Sequence, residues 1–135
     1  MTKLHPWIER LDDRTLLVTF PSGRTQEDIV AFWRAMDAHC EGGDFPDRFG
    51  VILDLTRVAT TDPRGRALLV EHIRAHDVYY QAHCVGLAVV IRSLLVRGVF
   101  QAASWLIPYK PAPAVMVDSV EAARDWLARA HRRRG

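Results

Sequence analysis

Lysine is nearly missing from this chain, and cysteine is scarce. Only Lys3 and Lys110 stand beside sixteen arginines, and the two cysteines are Cys40 and Cys84. Two cysteines cannot build the disulfide framework of a small extracellular scaffold. They are expected to be reduced, buried thiols in a cytoplasmic protein. No apolar run reaches the roughly 20 residues that a membrane span needs. Residues 1–15 lack the apolar stretch of a secretion signal. There is no P-loop, no glycine-rich dinucleotide fingerprint and no nucleophile elbow. No internal repeat or low-complexity segment occurs. With no nucleophile and proton donor to pair, catalysis is not expected, and no cofactor is implied.

What is present is an ordinary globular composition. Of 135 residues, 49% are hydrophobic and 25% charged, with a net charge of +2. That length suits one domain with its own core. The near balance of charge argues against a nucleic-acid partner. The exception is the tail, 128–135, where Arg129–Arg134 holds four arginines and His131. It reads as the solvated end of a helix whose cations complement the macrodipole.

Two short β-like runs, Trp7–Arg10 and Thr15–Phe20, flank the turn Leu11–Arg14 and predict a hairpin. Thr25 is placed as an N-cap, with Glu27 and Asp28 in the first turn. Ile29, Trp33, Met36 and Cys40 then line one face of a helix. Gly50–Leu55 and Val85–Ile91 are nearly continuous apolar runs, suited to central strands buried on both faces. Asp62-Pro63 opens a second helix, expected to run to about Tyr79. A third helix spans Ser93–Leu106, and Pro113–Val117 forms the last strand. Asp118 or Ser119 caps a final helix whose apolar face is Val120, Ala123, Trp126, Leu127 and Ala130. The order β-β-α-β-α-β-α-β-α predicts an α/β fold: a mixed, mainly parallel five-stranded sheet with four helices.

This order, with Asp54-Leu55-Thr56 closing a strand and Asp62-Pro63-Arg64-Gly65 opening a helix, resembles a STAS domain, the fold of bacterial anti-anti-sigma factors. The likeness covers a core of about residues 7–127. The second half, from Arg92 to Leu106 and from Val120 to Leu127, is similar to a diverged STAS/SEC14 branch. The resemblance implies a non-catalytic regulatory domain that binds a protein partner. Its alternative implication is a carrier or sensor of a lipid-like or anionic small molecule. In phospho-regulated STAS domains a serine in the helix-opening turn accepts the phosphate. Here that position is Arg64, beside Pro63, and neither has a hydroxyl. The serine switch is therefore not expected at this turn; Thr60 and Thr61 lie upstream of the matching position.

Arg64 and Arg66 place cations in a helix's first turn, where they oppose the macrodipole at roughly 0.3–1 kcal/mol each. Either Asp62 screens them and they point to solvent, or they and the free N–H groups receive an anion or an acidic partner. In a parallel sheet the loops that follow the strands share one edge. Arg57, Asp62, Arg64, Gly65, Arg66, Arg92 and Arg97 are therefore the candidate partner or anion site, a cationic rim. The third helix is apolar nearly all round, with Leu95, Val99, Phe100 and Trp105 as its candidate outer surface. A second copy of the chain, a hydrophobic ligand, or Trp126 with the Tyr109–Pro113 loop could cover it.

His72 and His76 stand four apart, a spacing that can hold one metal. No glutamate follows His72, so the zinc-hydrolase pattern is absent. The pairs His39-Cys40 and His83-Cys84 make no site by sequence alone, and no metal is assigned. Asp54, at the end of a buried strand, is expected to accept backbone hydrogen bonds from the following loop.

Overall fold

The computed structural model describes residues 3–58, 63–104 and 112–134. Six strands form one sheet in sequence order: β1 (Lys3–His5), β2 (Ile8–Asp12), β3 (Thr15–Thr19), β4 (Phe49–Asp54), β5 (Cys84–Val90) and β6 (Ala114–Val117). Pairs β1–β2 and β2–β3 are antiparallel, and β3 to β6 are parallel. The mixed α/β sheet expected from the sequence is thus present. Strand β1 is an addition at its edge, too short to show an alternating pattern.

Five helices connect and cover the strands: α1 (Gln26–Gly42), α2 (Pro63–Ala75), α3 (Asp77–His83), α4 (Leu94–Ser104) and α5 (Val120–Arg134). Helix α1 begins where its capping chemistry demands. The Thr25 hydroxyl accepts from the Asp28 N–H at 3.1 Å, and the Asp28 carboxylate accepts from the Thr25 N–H at 2.9 Å. It ends at Gly43, whose φ of 65° is the left-handed conformation that glycine adopts freely. Ser119 caps α5, its hydroxyl accepting from the Ala122 N–H at 3.1 Å. Ser93 does the same for α4 through the Val96 N–H. Helix α5 continues through the basic tail, and Ala130 is buried, so packing extends past Leu127.

The helix expected from Asp62 to Tyr79 is two helices. The backbone leaves helical geometry at His76 (φ −123°, ψ 21°) and restarts at Asp77. Neither proline nor glycine marks this break. Its correlate is tertiary: His76 is bonded to Asp37 on α1, and Tyr80 of α3 is bonded to His72 of α2.

Each parallel crossover advances one strand in the same direction along the sheet. The usual right-handed connection then places the crossover helices on one face. The two cores agree. Val51, Leu53, Val89 and Ile91 pack with Ile29, Phe32, Trp33, Met36, Tyr80 and Val96. The alternate residues Ile52, Ala88 and Val90 pack with Ala123 and Leu127 of α5 on the other face. That second face is shaped by two glycines paired across adjacent strands, Gly50 and Gly86. A Cβ on Gly86 would lie 2.7 Å from the Trp126 ring, and one on Gly50 would lie 2.8 Å from Leu127. Glycine at both positions lets α5 approach the sheet closely.

Candidate functional site

The parallel strands end level with one another. Thr19 is in register with Asp54, Asp54 with Val90, and Val90 with Val117. The connections after these strands therefore share one edge of the sheet. Asp54 sits at its centre, and its carboxylate accepts from the Thr56 N–H at 2.9 Å, as the sequence implies. That bond turns the chain out of β4 toward Arg57, which is exposed. Arg64 is exposed and Arg66 half-buried in the first turn of α2, a turn with no acidic residue; Gly65 lies between them.

From the neighbouring strand come Arg92 and Arg97. Arg92 is exposed, and its Nε donates to the Asp118 carbonyl at 3.4 Å. Arg97 Nη2 donates to the Ile91 carbonyl at 3.3 Å. Both arginines thus brace connections at this edge. Leu94 and Leu95 begin α4 beside them and stay exposed, at 85% and 65%. Asp62, Thr60, Thr61 and Trp105 lie outside the described residues, as do the side chains of Val99 and Phe100.

A second constellation lies in the α1–α2 layer, and the sequence disclosed only half of it. His72 and His76, one turn apart on α2 and its C-terminal break, both face Asp37 of α1. Asp37 Oδ1 accepts from His72 Nδ1 at 2.6 Å and from His76 Nε2 at 3.0 Å. The other ring nitrogen of His72, Nε2, meets the Tyr80 hydroxyl at 2.5 Å. Tyr80 Oη in turn lies 3.5 Å from Cys40 Sγ. His72 is 4% exposed, and burial pushes its pKa down despite the opposing hydrogen bond and charge of Asp37. Burial pushes the Cys40 thiol up to about 11, and the Tyr80 phenol well above its ordinary value. Neutral His72 with its proton on Nδ1 satisfies every contact: Nδ1–H donates to Asp37, and Nε2 accepts from Tyr80.

Asp37, His72 and His76 line a cleft of about 480 Å³ between α1 and α2, with Trp33, Glu41 and Glu71 also lining it. Asp37 was the part that sequence reading missed. It lies on a helix more than thirty residues away, outside any motif. The only signal was the four-residue spacing of the histidines. Of the His-Cys pairs, Cys40 joins this cluster through Tyr80, but the histidines go elsewhere: His39 bonds Asp44, and His83 bonds Asp47, each at 3.0 Å. Among the described residues, Asp37, His72 and His76 are the group whose ligand atoms converge, all within 4.8 Å of one another.

No protein-family model matches the chain, and no curated protein sequence matches it significantly. Solved structures do match. The phosphorylated form of the Bacillus cell-fate determinant SpoIIAA superposes with a TM-score of 0.63 at 18% identity, covering 89% of this chain and 96% of that one. The unphosphorylated form of the anti-sigma factor antagonist SpoIIAA gives the same TM-score at 16% identity, covering 90% and 96%. The fold is therefore that of SpoIIAA, a STAS-like fold, over most of the chain.

Proposed function

We propose that this chain is a non-catalytic regulatory domain that binds a protein partner, of anti-sigma-factor type, through the edge where its parallel strands end. The observation that carries this reading is the pairing of exposed Leu94 and Leu95 with the arginines around them. An apolar centre with a polar rim is how protein interfaces are built. Arg57, Arg64, Arg66 and Arg92 outnumber Asp54 and Asp118 at this edge, and that cationic excess favours an acidic partner surface and speeds encounter. The SpoIIAA-like fold supports the reading. Since Arg64 and Pro63 stand where the STAS resemblance places the acceptor serine, control by phosphorylation of that turn is not part of the proposal.

The test is partner capture followed by titration of the purified pair. Leu95→Asp and Arg64→Glu should each weaken binding about tenfold or more, with unchanged circular dichroism. A partner that binds both variants with unaltered affinity would place the interface elsewhere. Native mass spectrometry of the untagged protein tests two further occupants of the α4 face. A dimer would assign it to self-association, and an adduct of lipid-like mass to the carrier role.

A further inference from the structure

We infer that Asp37, His72 and His76 form a binding site for a borderline divalent transition metal, Zn2+ foremost. The site is separate from the proposed partner surface and does not depend on that reading. Two imidazoles and one carboxylate are a donor set suited to Zn2+, and unsuited to Ca2+ or Mg2+, which take oxygen ligands. The convergence is already close. Zn2+ bonds of roughly 2.0–2.2 Å set ligand atoms about 3.3 Å apart. The carboxylate oxygen lies 2.6 Å and 3.0 Å from the two ring nitrogens. The protons that now fill those two hydrogen bonds occupy the space a cation would take.

The surroundings fit a metal as well. Asp37 is reachable from solvent, with a side chain 43% exposed, while His76 is 11% and His72 only 3% exposed. The cleft thus offers an entry path and free coordination positions for water. Glu41 and Glu71 at the same cleft add negative charge. The buried chain behind His72 can reverse direction. With a metal on Nδ1, the His72 proton moves to Nε2 and is donated to Tyr80, whose hydroxyl then donates to Cys40. No strong polar group is left unpaired, because a thiol is only a weak donor. A fixed partner on the second ring nitrogen is how metal-binding histidines are oriented.

The test is calorimetric titration of the untagged, chelator-treated protein with Zn2+, beside thermal melts and the visible spectrum with Co2+. One Zn2+ per chain is expected, with a melting temperature raised by about 5 °C or more at hundredfold excess over Kd. Co2+ should give the intense visible bands of a low-coordinate nitrogen–oxygen site. Asp37→Asn and His76→Ala should each weaken uptake at least tenfold while keeping the wild-type circular dichroism. His39→Ala, at the surface pair with Asp44, should leave it unchanged. No stoichiometric uptake, or uptake that survives both cleft substitutions, would overturn the assignment. Mg2+ and Ca2+ should not compete at equal concentration; displacement of Zn2+ by either would also overturn it.

Discussion

Replacing Gly86 by alanine adds one methyl group where α5 meets the sheet. The new Cβ would stand 2.7 Å and 3.0 Å from two carbons of the Trp126 ring and 3.4 Å from Leu127. An indole cannot yield by bending, so either the ring changes rotamer or α5 lifts from β5. Overpacking of this kind typically costs about 1–3 kcal/mol. The alanine also restrains the unfolded chain, which returns about 0.4–1 kcal/mol where the backbone is ordinary. Gly86 has no positive φ, so that gain applies here. The net expectation is a loss of roughly 0–2.6 kcal/mol, centred on about 1.3 kcal/mol, or about 5 °C in melting temperature for a chain of this size. Urea unfolding followed by circular dichroism measures it. In a Trp126→Leu background the same substitution should cost at least about 1 kcal/mol less, since the clashing ring is gone. Gly50→Ala should cost less than Gly86→Ala, because it meets the movable end of Leu127 at 2.8 Å. A Gly86→Ala protein as stable as wild type, with no coupling to Trp126, would refute the close seating of α5.

Two other predictions concern the opposite layer. Thr25→Ala removes the hydroxyl arm of the capping box of α1, leaving the Thr25 N–H bond to Asp28, and should cost about 1 kcal/mol, whereas Thr25→Ser should be nearly neutral; urea midpoints separate the two. Stability should also fall on both sides of a plateau between about pH 6.5 and 9. On the acid side, the native pKa of His72 is lowered by burial, so the unfolded chain gains a proton near 6.5 that the native state refuses, and stability drops with falling pH. His5 and His131, also lowered by burial, act in the same direction. On the alkaline side, unfolded Cys40 loses its proton near 9 while the native thiol keeps it to about 11, and stability drops with rising pH. Unfolding free energies across pH 5–10 check both limbs. A flat acid limb would contradict the buried, neutral state of His72.

The sheet was legible because its strands carry their own signals. Gly50–Leu55 and Val85–Ile91 are apolar on both faces, and both became central parallel strands, each shifted by one residue. Helix starts were legible through side-chain capping, as at Thr25 and Ser119. The break at His76 was not, because it has no proline or glycine and is matched only by contacts with Asp37 and Tyr80. Strand β1 was not, because three residues carry no period. The arginines of the edge could be assigned from topology once the parallel order was read. The cleft could not, since Asp37 is one unremarkable acid on an amphipathic helix until α1 and α2 are packed together.

The two layers over the sheet are built by different rules. Helix α5 rests on Gly50 and Gly86, with Ala123 and Leu127 fully buried, and close packing accounts for that apolar seat. The α1–α2 joint instead buries an imidazole, a phenol and a thiol in one chain of hydrogen bonds. Apolar residues of similar volume would hold two helices together at least as well, because buried polar groups gain little net stability from pairing. Packing demands therefore do not account for His72, and its second nitrogen points to the one carboxylate that also binds His76. Where a fold departs from its own simplest solution at a cleft, function is the usual reason. Here the departure supplies two imidazoles and a solvent-reachable carboxylate lining that cleft.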